Sequence, residues 1–179
     1  FMTIRTKGLS GRRAEPGGTL MNWPGHATKP QQVQGAALGG AVVRPRPARQ
    51  FDGVAALIEA LRASGRAFGV VTSKRHHSAL VSLECVGLTG QIPLLVTEED
   101  TATHKPSPEP LLHALNQMGA DAADAVYVGD AIVDMQAARA AGVRGIGVTW
   151  GAASAEELRA AEPTAVVHSV GELQTLLGL

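Results

Sequence analysis

The sequence predicts an α/β protein, with a parallel β-sheet covered by helices on both faces and an irregular segment in front of it. Three observations carry this expectation. From residue 51 onward, short apolar runs of strand length alternate with stretches whose apolar residues recur at helical spacing. Polar residues able to do chemistry follow several of the strand runs directly, where ligands bind in such sheets. Before residue 51 the texture is different, dense in Gly, Pro and Arg.

The elements follow in order. FDGVAALIEALRASG (51–65) places Val54, Leu57, Ile58 and Leu61 on one helical face, with Asp52 as N-cap and Gly65 as stop. AFGVVTS (67–73) reads as a buried strand ending in small hydroxyl residues, and HHSALVSLECVG (76–87) as a helix stopping at Gly87. IPLLV (92–96) is a short apolar run, and PEPLLHALNQMG (108–119) a helix with proline in its first turn. DAVYVGD (124–130) is a strand, and DMQAARAAG (134–142) a helix closed by Gly142. GVRGIGVTWG (142–151) is a further strand. SAEELRAAE (154–162) is a helix opened by Ser154, with Glu157 completing a capping box. TAVVH (164–168) and SVGELQTLLGL (169–179) are the last strand and helix. Such alternation implies right-handed crossovers in a parallel sheet.

A chain of 179 residues suffices for one domain with a real core. It holds no unbroken apolar stretch of membrane-spanning length and no secretory signal pattern, so a cytosolic protein without a membrane partner is expected. Its single cysteine, Cys85, excludes an internal disulfide and is expected to be a buried packing residue. The formal charge of zero hides an asymmetry: residues 1–50 carry eight Lys/Arg against the one acid Glu15, and residues 51–179 carry eight against fifteen. Two regimes therefore meet near Gln50. The first is read as a poorly ordered basic segment, residues 1–50, and the second as the α/β core, residues 51–179. A nucleic-acid-binding arm is disfavoured, because the N-terminal charges are scattered and lack interleaved aromatics.

Three strand ends carry polar groups. VVTSK leaves Thr72, Ser73 and Lys74; VTEEDTATHKPSPEP carries Lys105 before a proline-rich helix start; YVGD leaves Gly129 and Asp130, with Asp134 four residues on. Hydroxyl and ammonium groups suit a phosphate, and carboxylates hold Mg²⁺ through hard oxygen ligation. His76, His77 and His104 show no second ligand pattern and read as surface or loop residues.

GVVTSK, HKPSPEPLLHAL and YVGDAIVDMQAARAAG, in this order, resemble the haloacid dehalogenase superfamily and its phosphoglycolate-phosphatase-like branch over residues 51–179. The resemblance implies a Rossmann-like core and a Mg²⁺-dependent phosphatase acting on a small phosphorylated metabolite. It implies that Thr72, with Ser73, binds the transferring phosphoryl group. It likewise implies that Lys105 stabilises the nucleophile and phosphoryl oxygens, that Asp130 ligates Mg²⁺, and that Asp134 supports the metal directly or through water.

The family reaction starts from an aspartate nucleophile in a DxDGT pattern after an apolar strand, with the second aspartate as acid–base. The nearest match here is AEPGGTL, with Glu15 and Gly17 in those places and no apolar strand before them. There is little room between Thr19 and Thr72 for a helical cap. The nucleophile strand would be the central one, flanked by those ending at Thr72 and Asp130, so its slot needs a filler; residues 36–43 are the candidate. The charge break, the Gly/Pro/Arg-rich head and the missing motif together fit a foreign or frame-shifted replacement of residues 1–50. The competing reading is a non-catalytic remnant that holds Mg²⁺ and phosphate without turnover. A dinucleotide-binding domain is disfavoured, since no GxGxxG follows an early strand.

Overall fold

The computed structural model describes residues 2–4, as backbone, and residues 53–179. Its strands are β1 (Met2–Ile4), β2 (Phe68–Val71), β3 (Leu95–Val96), β4 (Ala125–Gly129), β5 (Arg144–Val148) and β6 (Ala165–Val167). Its α-helices are α1 (Val54–Ala63), α2 (His76–Cys85), α3 (Glu109–Met118), α4 (Ile132–Ala140), α5 (Ala155–Ala160) and α6 (Val170–Leu177). The strands form one sheet in the order β3-β2-β1-β4-β5-β6. β2 pairs with β3, β4 with β5 and β5 with β6 in parallel, as the alternation of strands and helices demands.

The central slot is filled differently from expectation. β1 occupies it and runs antiparallel to both neighbours, with Met2 opposite Gly69 and Tyr127 and Thr3 opposite Phe68 and Val126. Residues 36–43, the expected filler, lie outside the described residues, and Met2–Ile4 departs from the irregular character expected of residues 1–50. The physical reason is the pair of open strand edges. Any short β-competent segment that reaches them satisfies backbone groups on both sides, and Met-Thr-Ile has the composition for it.

Strict alternation along the strands sorts the core into two faces. On β4, Ala125 and Tyr127 pack with Val71, Leu111, Leu115 and Ala138 under α3 and α4. Val126 and Val128 pack with Leu57, Leu61, Ile146 and Leu173 under α1 and α6. Burial of a side chain such as Leu61, fully removed from solvent, stabilises the fold by about 1.5–3 kcal/mol. Gly145 lets α4 approach β5: a methyl there would stand 3.3 Å from Ala138 Cβ.

Most caps fall where expected. Gly65, Gly87 and Gly142 take positive φ after α1, α2 and α4. Ser154 Oγ accepts from the Glu157 amide at 3.2 Å. Asp52 lies outside the described residues, and the N-cap of α1 is Gly53 at φ 86°, without a side-chain hydrogen bond. Cys85 is exposed rather than buried. Helix α2 turns Ala79 inward and keeps Leu83 partly covered, and Cys85, two residues further, is carried round to the solvent face.

Thr3→Pro removes one amide from a strand paired on both sides. The urea midpoint is expected to fall by the equivalent of about 0.5–1.5 kcal/mol with little change in slope; an unchanged midpoint would contradict the β1 pairing.

Candidate functional site

The carboxyl end of β4 leads directly into α4, and Asp134 in the first turn of that helix turns back toward the strand. Its Oδ2 accepts the amides of Asp130 and Ala131, each at 3.2 Å. A carboxylate there satisfies amides that lack a helical partner and suits the positive end of the helix dipole. Its Oδ1 accepts Lys105 Nζ at 2.6 Å and stands 3.2 Å from the Tyr127 hydroxyl oxygen. The Lys105 and Asp134 side chains are only 9% and 7% exposed, so this is a buried ion pair, and each charge depends on the other.

Tyr127 completes the cluster. Its hydroxyl lies 3.0 Å from Lys105 Nζ and 3.1 Å from the Val71 carbonyl, to which it donates. The ammonium also stands 5.6 Å from the ring centroid, within cation–π range. Burial, and then the neighbouring Asp134 charge, push the phenol well above its ordinary pKa, so it stays protonated.

Lys105 arrives on the segment between β3 and α3, which is pinned at both ends. Thr97, buried at the end of β3, donates its amide and hydroxyl to Asp100 Oδ2 at 2.6 and 2.7 Å. Glu109 accepts the Thr103 amide at 2.8 Å and also its hydroxyl. These Thr103 bonds, the hydroxyl's first, hold the Glu109 carboxyl below the usual range.

Asp130, one residue beyond β4, is half-buried. Its Oδ2 accepts the Ala152 amide at 2.9 Å and its carbonyl accepts the Ala153 amide at 2.9 Å, which ties it to the loop after β5. A Cβ on Gly151 would overlap the Asp130 side chain, and one on Gly129 would overlap Asp134, so both close approaches require glycine. Asp130 also borders a largely apolar cavity of about 300 Å³, lined by Leu57, Val70, Val128, Val148 and Trp150.

Thr72 follows Val71 at the end of β2. Its amide donates to Val96 O at 2.9 Å and its hydroxyl accepts the Lys74 amide at 3.2 Å. Ser73 is exposed beside it. The structure thus joins Lys105 to Asp134 directly and Asp130 to Asp134 through an amide. Thr72 is attached at one covalent remove, through the Val71 carbonyl. His76, His77 and His104 are exposed, as expected. Sequence reasoning passed over Tyr127. The available signal was a hydroxyl-bearing aromatic on a buried strand, on the opposite face from Val126 and Val128.

Among the described residues, no three His, Cys, Asp or Glu side chains gather as a metal-ligand group. Both oxygens of Asp134 are engaged, Oδ2 by two amides and Oδ1 by the Lys105 ammonium, with the Tyr127 hydroxyl 3.2 Å from Oδ1. Asp130 has one oxygen bonded to an amide and Oδ1 without a partner among the described residues. That donor set is a minimal fit for Mg²⁺, which binds through one or two carboxylates and completes its shell with water and substrate oxygens.

The model of the haloacid dehalogenase-like hydrolase family matches residues 43–148, more than half of the chain, and the chain belongs to that family. The phosphoglycolate phosphatase of Xylella fastidiosa (strain 9a5c) is 40% identical over 121 residues, 68% of this chain and 51% of the relative. Pyrophosphatase PpaX of Bacillus velezensis is 30% identical over 130 residues, 73% of this chain and 60% of the relative. Among solved structures, a HAD family hydrolase from Deinococcus radiodurans with bound phosphate and sodium aligns with a TM-score of 0.68 at 25% identity, covering 72% of this chain and 58% of the other. The chain thus spans about half to three-fifths of the length of these relatives.

Lys105→Met strands the Asp134 carboxylate and is expected to cost about 3–5 kcal/mol in urea unfolding, part of it recovered in the double variant with Asp134→Asn, which removes the stranded charge and keeps an oxygen for the Asp130 and Ala131 amides. Tyr127 supplies a separate signature. Its folded-state pKa lies above the unfolded value, so its stabilisation is complete below about pH 10 and is lost as pH rises further. Thermal midpoints of wild type should therefore fall more steeply above that pH than those of Tyr127→Phe.

Proposed function

We propose that this chain is the phosphoryl-handling core of a Mg²⁺-dependent phosphomonoesterase that acts on a small phosphorylated metabolite, in the manner of the phosphoglycolate phosphatases it is similar to. The observation that carries the proposal is the buried Lys105–Asp134 pair at the carboxyl edge of the sheet. An ammonium has three N–H donors. Asp134 and Tyr127 take two of those of Lys105, and the third has no acceptor among the described residues.

In this proposal the third N–H of Lys105 and the Thr72 hydroxyl, with Ser73 beside it, bind phosphoryl oxygens and stabilise charge as it develops. Asp130 holds Mg²⁺ through its open oxygen, and Asp134 supports the metal site indirectly, by fixing the Asp130 amide and the Lys105 ammonium. Bound Mg²⁺ would supply charge neutralisation on the phosphate. Residues 51–179 supply the core apart from its central strand, Met2–Ile4, and residues 1–50 are a segment of different origin, in a cytosolic protein.

A second reading, a domain that binds Mg²⁺ and phosphate without turnover, is favoured by one specific observation. The described residues of the central strand are Met2, Thr3 and Ile4, none of them a carboxylate, and the strand runs antiparallel to its neighbours.

Hydrolysis of a generic aryl phosphate, followed with and without Mg²⁺, decides between the two. Turnover that requires Mg²⁺ and falls by at least about 10²-fold in Asp130→Asn supports the phosphatase. Inorganic phosphate binding with no turnover supports the binder, and neither binding nor turnover rejects both.

A further inference from the structure

We infer that Tyr127 is a positioning residue, whose hydroxyl fixes the direction of the Lys105 ammonium and ties it to the strand end that carries Thr72. The inference rests on the assignment of Lys105 and Thr72 to the phosphoryl group proposed above, and it assigns a role to a residue outside that set.

The geometry starts from β2. The amides on either side of Val71 both point to β3: Val70 donates to Leu94 O at 2.8 Å and Thr72 to Val96 O at 2.9 Å. In a strand, successive peptide groups alternate in direction, so Val71 turns its polar groups toward the central slot. There the described part of β1 has already ended, with Met2 opposite Gly69, two residues short of Val71. The Tyr127 hydroxyl reaches the Val71 carbonyl at 3.1 Å and supplies a donor at that point.

The same oxygen accepts from Lys105 Nζ at 3.0 Å, while Asp134 Oδ1 holds that nitrogen at 2.6 Å. One contact alone would leave the ammonium free to swing about the Asp134 oxygen. Two contacts and the alkyl stem fix where the remaining N–H points. A buried tyrosine hydroxyl ordinarily needs some partner. Here all three of its partners are groups that hold or adjoin the proposed phosphoryl site, and the side chain is only 1% exposed. The ring's cation–π contact survives in phenylalanine, so Tyr127→Phe isolates the hydroxyl.

The test uses the full chain and Tyr127→Phe, both under conditions where urea curves show them fully folded. Two quantities are read: the affinity for inorganic phosphate in the presence of Mg²⁺, by calorimetry, and the proton exchange rate of the Lys105 ¹⁵Nζ resonance, identified by its loss in Lys105→Arg. Phosphate affinity is expected to fall about tenfold, the effect of one lost hydrogen bond, with several-fold faster exchange at Lys105. An unchanged Lys105 signal overturns the inference, as does a changed signal with unaltered phosphate affinity. If wild type binds no phosphate while the Lys105 signal still responds to the substitution, the proposed function fails and the hold of Tyr127 on Lys105 stands.

Discussion

One buried ammonium–carboxylate pair holds the carboxyl edge of this sheet together. Removing either Lys105 or Asp134 would leave its partner as an unpaired ion at that depth, where desolvation is costly. Each is therefore surrounded by compensating groups from a different element. Asp134 collects two amides from the β4–α4 junction and the ammonium from the segment before α3, with the phenol of β4 beside it. The phenol in turn reaches the Val71 carbonyl on β2. A charge pair that cannot be left half-made thus sets the relative positions of two strands, a helix start and a loop.

The central strand imposes the second constraint. In the family to which the chain belongs, the slot between β2 and β4 is where a nucleophile strand is expected; here its described occupant is three residues long and runs the other way. β1 pairs with the amino-terminal part of β2, up to Gly69. The groups proposed to handle phosphate lie at the opposite ends of the same strands. On β4 the pairing reaches Tyr127, opposite Met2, while Lys105, Asp134 and Asp130 are held to one another by side-chain and loop bonds beyond the described part of β1.

The alternation of strands and helices from residue 54 onward was legible in the sequence because it rests on local physics. Leu57, Ile58 and Leu61 recur at helical spacing, β4 is apolar throughout, and glycines with positive φ stop α1, α2 and α4. Thr72 and Asp130 were legible because they follow strand runs, Asp134 because it opens a helix, and Lys105 because it stands shortly before a proline-rich helix start. Cys85 was misread because helical spacing alone does not say which face of α2 meets the core. Tyr127 went unnoticed because its partners lie 7, 22 and 56 residues away in sequence.

The sequence by itself determined the elements from α1 onward, the parallel pairing among their strands and the residue types available at the sheet edge, since hydrophobic period and capping chemistry act over a few neighbouring residues. Only the tertiary structure decided which donors meet which acceptors. It spent both oxygens of Asp134 on internal bonds, left Asp130 Oδ1 without a partner among the described residues, and put Met2–Ile4 in the central slot. Those outcomes depend on groups brought together from distant parts of the chain, where burial makes every unsatisfied polar atom costly and so selects a specific partner for each.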